Sequence, residues 1–260
     1  MIKAKKSFGQ NFLTDNNIIL KIVDSIDVQK NDLIIEIGPG QGALTRELKK
    51  KKAKLLAFEI DERMKDVLTL LEDDNTNIVY KDILEVDLEK FISNYDYDKL
   101  YVIANLPYYI TTPIIEKLIN SSVIIDQMTI MVQNEVADRL SAKPGTKNYG
   151  MMSVLLNYKY DVKKLFVVKN TCFNPVPKVN SAVINLKRKP DCITIENYDN
   201  FYKFVSSAFK YKRKTIKNNL GIIKYNEVLP FLSKLNYGDN VRAEEISTED
   251  YAYISNNVKF

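Results

Sequence analysis

Histidine is absent from all 260 residues. That excludes Ser-His-Asp and Cys-His nucleophilic mechanisms, imidazole as a general base, and metal sites built on imidazole. Any chemistry must come from carboxylates, tyrosines, amides or a bound cofactor. Cysteine occurs twice, as Cys172 and Cys192, too few for a disulfide framework and without zinc-ligand spacing, so no metal is expected. No apolar run approaches the roughly 18 residues of a membrane span, and the best candidate, Val123 to Val132, is broken by Asp126 and Gln127. The N-terminus is basic at Lys3, Lys5 and Lys6, but Gly9-Gln10-Asn11 stands where the apolar centre of a secretory signal would lie. These features predict a cytoplasmic protein with no membrane partner.

What remains is a globular composition, 45% hydrophobic and 27% charged, with a net charge of +5. A positive excess favours a polyanionic partner. Its densest cluster is Lys210, Lys212, Arg213 and Lys214 around Tyr211, with Lys217 following. Cations around an aromatic ring suit phosphates and bases, although a bare charge run is as often a solvated helix face.

From residue 33 to about 133, buried-strand patterns alternate with helical ones. Leu33 to Ile37, Lys54 to Glu59, Asn77 to Tyr80, Leu100 to Ala104 and Met128 to Val132 read as strands. Ala43 to Lys51, Glu62 to Leu71 and Pro113 to Asn120 read as helices. Right-handed crossovers turn such a series into an α/β fold with a parallel sheet covered on both faces. After Asn148 the pattern changes to a helix at Met151 to Tyr158, then strands at Lys164 to Val168 and Ser181 to Leu186, suited to antiparallel pairing at a sheet edge. Lys187-Arg188-Lys189-Pro190 reads as a hinge. Helices are predicted at Phe201 to Phe209, Lys214 to Leu220, Val228 to Leu235 and Ser247 to Asn256, the last capped by Ser247. The expected domains are therefore 1–188 and a small all-helical 189–260.

The first strand runs into Gly38-Pro39-Gly40-Gln41-Gly42, with Glu36 just before it. This G-x-G-x-G spacing differs from the G-x-G-x-x-G of dinucleotide enzymes and argues for a ligand without a pyrophosphate. Glu59 ends the next strand, where a carboxylate can accept both hydroxyls of a ribose. Asp82 and Ile83 follow the third strand, where an adenine ring can be sandwiched. Carboxylates at successive strand ends share one crevice, which points to a nucleoside cofactor.

The fourth strand is followed by Asn105-Leu106-Pro107-Tyr108. An adenine N6 amine is a poor nucleophile because its lone pair is delocalised, so it needs acceptors rather than a strong base. The Asn105 amide carbonyl and the Leu106 backbone carbonyl can each accept one N6 hydrogen, turning the lone pair toward a methyl sulfonium. Pro107 fixes the turn and Tyr108 can stack on the base.

At this point the chain resembles the ribosomal-RNA adenine N6-dimethyltransferases, most closely the bacterial small-subunit branch. The likeness extends over nearly the whole chain: Lys6-Ser7-Phe8-Gly9-Gln10-Asn11-Phe12-Leu13, the Glu36 to Thr45 loop, Asn105 to Tyr108 with Thr112-Pro113, Gln133 to Leu140, and Phe173-x-Pro175-x-Pro177-x-Val179-x-Ser181. It implies a Rossmann-like class I methyltransferase sheet, mostly parallel with an antiparallel edge strand. The implied cofactor is S-adenosyl-L-methionine, held by Gln10, Asn11, Leu13, Gly38, Gly40, Glu59, Ile60, Asp82, Ile83 and Asn105. Asn11 and Leu13 would close over it and Gly38 would meet its methionine part. Glu59 would take the ribose, and Asp82 the adenine amine.

Phe173 would oppose Tyr108 across the flipped base; read from the residues alone it is a core phenylalanine. The implied substrate is a pair of adjacent adenosines in a hairpin near the 3′ end of 16S rRNA. Partners are the small-subunit rRNA and the small-subunit precursor, with the chain acting as a monomer in ribosome biogenesis. The helical domain and its basic stretch would grip the RNA backbone. Three other readings compete. A large-subunit (23S) adenine methyltransferase of the antibiotic-resistance type is opposed by Leu106 and the Lys6 to Leu13 segment. A non-catalytic nucleic-acid-binding relative is opposed by the intact site positions, and a nicotinamide oxidoreductase by the glycine spacing.

Overall fold

A computed structural model describes residues 2–5 and 8–260. Lys6 and Ser7, the first two residues of the N-terminal motif, lie outside the described residues.

The chain divides into two compact units. The first comprises Met1–Ala137 and Lys163–Lys187. It contains strand β1 (Phe12–Leu13), helix α1 (Asn16–Val23), β2 (Leu33–Ile37), α2 (Ala43–Lys49), β3 (Lys54–Glu59), α3 (Lys65–Leu68), β4 (Thr76–Tyr80), α4 (Leu88–Ile92), β5 (Leu100–Asn105), α5 (Thr111–Asn120) and β6 (Gln127–Gln133). Helix α6 (Asn134–Leu140) and α7 (Met151–Asn157) follow, then β7 (Tyr160–Val168), β8 (Phe173–Asn174) and β9 (Ser181–Arg188).

The sheet order is β4-β3-β2-β5-β6-β9-β7. β3 and β5 both pair parallel with β2, β4 with β3 and β6 with β5, whereas β9 pairs antiparallel with β6 from Gln127↔Lys187 to Gln133↔Ser181. The expected antiparallel strand is thus β9, one position in from the edge strand β7. All five residues of β2 are buried, as a strand covered on both faces requires. Because the chain leaves β2 toward β3 and returns at β5, the strand order reverses at β2. The carboxyl ends of β2, β3 and β5 therefore border the crevice where such sheets take ligands.

A second, two-stranded sheet joins β1 to β8 antiparallel through Phe12↔Asn174 and Leu13↔Phe173. Neither strand is visible as a pattern, because two residues carry no periodicity. The predicted helix from Glu62 to Leu71 is a single α-helical turn, α3, flanked by 3₁₀ turns at Glu62–Met64 and Thr69–Leu71.

The second unit comprises Asp138–Val162 and Arg188–Phe260. Asp138–Val162, containing α7, groups with the C-terminal helices, whereas the sequence pattern suggested a single break after residue 188. The reading of Lys187 to Pro190 as a hinge meets a chain still hydrogen-bonded: β9 continues to Arg188, and the Lys189 N–H donates to the Lys159 carbonyl at 2.8 Å. Helices α8 (Tyr198–Ala208), α9 (Ile216–Leu220), α10 (Ile222–Lys234) and α11 (Thr248–Asn257) complete the unit. Phe201, Phe204, Val228, Leu232 and Tyr251 fill its core. Ser247 caps α11 as predicted, its hydroxyl accepting from the Asp250 N–H at 3.0 Å. The basic residues 210–214 lie between α8 and α9 rather than on a helix; α9 begins only at Ile216, where Thr215 provides the cap. Among the described residues, no helix is long and apolar enough to cross a membrane.

Candidate active site

A cavity of about 1190 Å³ opens at the carboxyl ends of β2, β3 and β5. That exceeds the roughly 300–1,000 Å³ typical of a single small-molecule site, leaving room for a cofactor and part of a second ligand. Of the residues predicted from the sequence to hold a cofactor, all ten (Gln10, Asn11, Leu13, Gly38, Gly40, Glu59, Ile60, Asp82, Ile83 and Asn105) line it, together with Leu106, Pro107 and Tyr108.

The glycine loop forms one wall. Gly38, Gly40 and Gly42 have φ of 71°, 55° and 76°, conformations open to glycine and costly for residues with a Cβ. Gly40 presses against the Phe12 ring, where a Cβ would come within 3.1 Å. Its N–H donates to Glu59 Oε2 at 2.8 Å, and the Asp61 N–H donates to Oε1 at 2.8 Å. Glu59 is buried, which raises its pKa, while these two backbone donors oppose the rise.

Glu36 sits deeper in the same wall. Burial pushes its carboxyl up to about 8, a rise that donors from Thr45 only partly offset. A buried acid so poorly supplied with donors is stable only when protonated or when a cation is nearby.

Asp82 begins the turn after β4, accepting from the Leu84 N–H at 2.9 Å, and so stands beside Ile83 at the cavity edge.

The N-terminal segment forms the opposite wall. Gln10 Nε2 donates to Asp61 Oδ2 at 2.7 Å, and the Lys5 N–H donates to Gln10 Oε1 at 2.8 Å. The Arg63 guanidinium beside Asp61 holds its carboxyl below the ordinary carboxylate range. Gln41 Nε2 donates to the Ile2 carbonyl at 2.9 Å. Phe8, Phe12 and Gln41 thus belong to the wall; the sequence reading contained them in its motifs without assigning them a part.

Asn105, the last residue of β5, donates from Nδ2 to the Asn11 main-chain carbonyl at 3.2 Å. With the nitrogen engaged, Oδ1 is the amide's remaining acceptor. The Leu106 N–H is tied to the Met131 carbonyl of β6 at 3.2 Å. Pro107 starts a tight turn whose carbonyl accepts from the Ile110 N–H at 3.2 Å and the Thr111 hydroxyl at 3.1 Å. The Tyr108 hydroxyl pairs with the buried Ser181 hydroxyl at 2.8 Å, and burial raises the phenol's pKa.

Phe173 corrects the expectation that it faces Tyr108. It is 3% exposed and does not line the cavity. Strand pairing with Leu13 directs it into the apolar cluster of Ile19, Ile22 and Val168, and it is Asn174 and Pro175 that reach the cavity wall. The residue-only reading as a core phenylalanine is the one that agrees. The five basic positions Lys210, Lys212, Arg213, Lys214 and Lys217 are exposed, belong to the second unit and are not among the residues lining the cavity.

Residues 1–259 match the family model described as ribosomal RNA adenine dimethylase. The chain is 44% identical over 266 residues to "Ribosomal RNA small subunit methyltransferase A" of Streptococcus pneumoniae strain P1031, an alignment covering 98% of this chain and 92% of the relative. The protein of the same name from Streptococcus gordonii is 43% identical with the same coverage. Among solved structures, a dimethyladenosine transferase from Plasmodium falciparum superposes with a TM-score of 0.78 at 25% identity, covering 94% of this chain and 95% of that one. The 23S rRNA methyltransferase ErmE superposes with a TM-score of 0.72 at 22% identity over 95% of this chain and 99% of its own, a likeness of fold. The sheet is accordingly of the class I methyltransferase type.

Proposed function

The chain belongs to the ribosomal RNA adenine dimethylase family, and we propose that its cavity is where two adjacent adenosines, in a hairpin near the 3′ end of small-subunit rRNA, are dimethylated at N6. The enzyme is an rRNA adenine N6,N6-dimethyltransferase, acting in the cytoplasm on the small ribosomal subunit or its precursor as a monomer.

The cofactor of this reading is S-adenosyl-L-methionine, and the wall suits it. A glycine cradle, the buried Glu59 carboxylate and the apolar Ile60 and Ile83 match the charge and faces of an adenosyl cation. When bound, that cofactor supplies an electrophilic methyl group. Glu59, fixed by the Gly40 and Asp61 amides, accepts from the ribose hydroxyls. Asp82 takes the adenine amine, and Ile60 and Ile83 flank the ring. Gln10, Asn11 and Leu13 close the site from the N-terminal side, with Gln10 anchored to Asp61.

For the target base, Asn105 Oδ1 and the Leu106 carbonyl each accept one hydrogen of N6, which turns the nitrogen lone pair toward the methyl group. Tyr108 stacks on the extruded ring, steadied by Ser181. The proton lost after transfer goes to solvent, so no histidine is needed.

The observation that carries this reading is the Asn105–Asn11 hydrogen bond at 3.2 Å, which sets the acceptor of the amide within the cavity that Glu59 also lines. The test is mass spectrometry of small-subunit rRNA fragments incubated with purified protein and labelled S-adenosyl-L-methionine. Dimethyladenosine is expected at two adjacent positions. Asn105→Ala should abolish it while RNA binding persists, and undiminished turnover in that variant would refute the assignment.

A further inference from the structure

Two tyrosines stand side by side after β5, and they face different surroundings. Tyr108 is half-buried, lines the cavity and is hydrogen-bonded to Ser181. Tyr109 does not line the cavity and is 57% exposed. An exposed aromatic ring is ordinary when it is loose on a surface. This one is seated. Its edge lies on Gly9, where a Cβ would come 2.9 Å from Cδ1 and 3.0 Å from Cε1, and 3.7 Å from Pro107 Cβ. Gly9 has a φ of 57°, so the backbone there both adopts a glycine conformation and leaves space for the ring. The neighbouring Phe8 lines the cavity, and Lys5 Nζ stands 4.6 Å from the centroid of its ring. The N-terminal segment therefore carries an exposed lysine, Lys5, four residues before the glycine on which an outward-facing aromatic ring is seated. That is the pairing by which proteins hold unpaired nucleotides, stacking on the base and attracting the phosphate.

We propose that Tyr109 is a stacking platform for the unpaired base adjoining the one in the cavity. Consecutive residues would thus receive consecutive bases: Tyr108 the adenine under reaction, and Tyr109 its neighbour waiting outside. The inference rests on the rRNA-adenine reading above, which supplies two adjacent targets but assigns no place to the second. Stacking needs only a π face, so the platform serves whichever adenine is outside at the time.

The test uses the full chain, S-adenosyl-L-methionine and a small-subunit hairpin RNA with two adjacent unpaired adenines. Tyr109→Leu keeps an apolar cover on Gly9 and removes the flat ring. Its KM for RNA should rise about 5- to 150-fold, the range that one lost base–aromatic stack corresponds to. The cofactor Kd should stay within about twofold, and Tyr109→Trp should restore the RNA KM. A second set of hairpins replaces either adenine in turn with an abasic residue. Wild type should show the raised KM when the neighbour of the reacting base is missing, and Tyr109→Leu should show no additional rise. A Leu variant with wild-type KM on the intact hairpin overturns the platform, as does an abasic penalty that is undiminished in that variant. Wild-type protein that binds cofactor but methylates neither these hairpins nor small-subunit particles carrying the same replacements overturns the functional reading, and the platform with it.

Discussion

Glu36 is a carboxylic acid held away from its ordinary charged state. A carboxyl with an ordinary pKa of 4.5 is pushed up to about 8 by burial. Below pH 4.5 the folded and unfolded chains both hold the proton; between 4.5 and about 8 only the folded chain keeps it. Unfolding then releases a proton, so this residue's contribution to stability falls steadily as the pH rises through that window and levels off above it. Glu36→Gln replaces the neutral acid by a neutral amide of similar shape and removes the titration. Thermal melts at pH 5 and pH 9 should show the wild type losing more stability than the variant across that interval. Parallel losses in both proteins would mean that Glu36 does not titrate there. Glu59, on the same wall, differs because backbone donors from Gly40 and Asp61 reach both of its oxygens and oppose the rise that burial causes, and on the reading proposed above its charged form receives the ribose. Glu59→Ala should therefore weaken S-adenosyl-L-methionine binding by at least about tenfold, as loss of a charged hydrogen-bonding partner commonly does. Isothermal titration of the two proteins would measure it, and equal affinities would remove Glu59 from the site.

At the scale of elements, the glycine loop shows how a backbone conformation is enforced by its neighbours. Gly42, the cap of α2, has a φ of 76°, and a Cβ there would lie 2.5 Å from Leu71 Cδ1. Gly42→Ala combines a left-handed backbone cost of about 1–2 kcal/mol with displacement of Leu71. At roughly 2–4 °C per kcal/mol for a chain of this size, Tm should drop by about 3–8 °C; an unchanged melt would show that the loop relaxes freely. This loop and the strands bordering it were legible in the sequence because runs of three to five buried apolar residues, the first of them leading into the glycines, leave few other folds. The packing of β1 on β8 was not legible. It joins two two-residue strands 160 positions apart through Phe12↔Asn174 and Leu13↔Phe173, a contact without any local period. The same contact explains Phe173: the motif around it is evident, but the direction of its side chain is set by the partner strand. Helix α1 escaped prediction for a related reason, since the helix carrying the stripe of Ile19, Ile22 and Val23 is only eight residues long.

For the whole molecule, the question is how a chain with a net charge of +5 holds a much larger polyanion. The second unit presents its basic stretch on a turn fastened from within: Asn219 Nδ2 donates to the Ala208 carbonyl at 2.6 Å, and Asn219 Oδ1 accepts from the Tyr211 N–H at 3.0 Å. Tyr211 is 56% exposed with Lys210 Nζ 5.4 Å from its ring centroid. A fixed turn loses little conformational freedom when it meets phosphates, and each cation that neutralises a phosphate releases counterions. If Lys212, Arg213 and Lys214 each contact one phosphate, replacing all three with alanine should reduce the slope of log K against log salt by about 2–3 for the hairpin RNA. The loss should be nearly independent of RNA sequence, because backbone contacts position the RNA without reading it. Affinity measured from 50 to 200 mM salt on target and scrambled hairpins separates the possibilities. An unchanged slope would return these residues to plain surface solvation, and a loss confined to the target hairpin would mean that the turn reads bases instead of gripping the backbone.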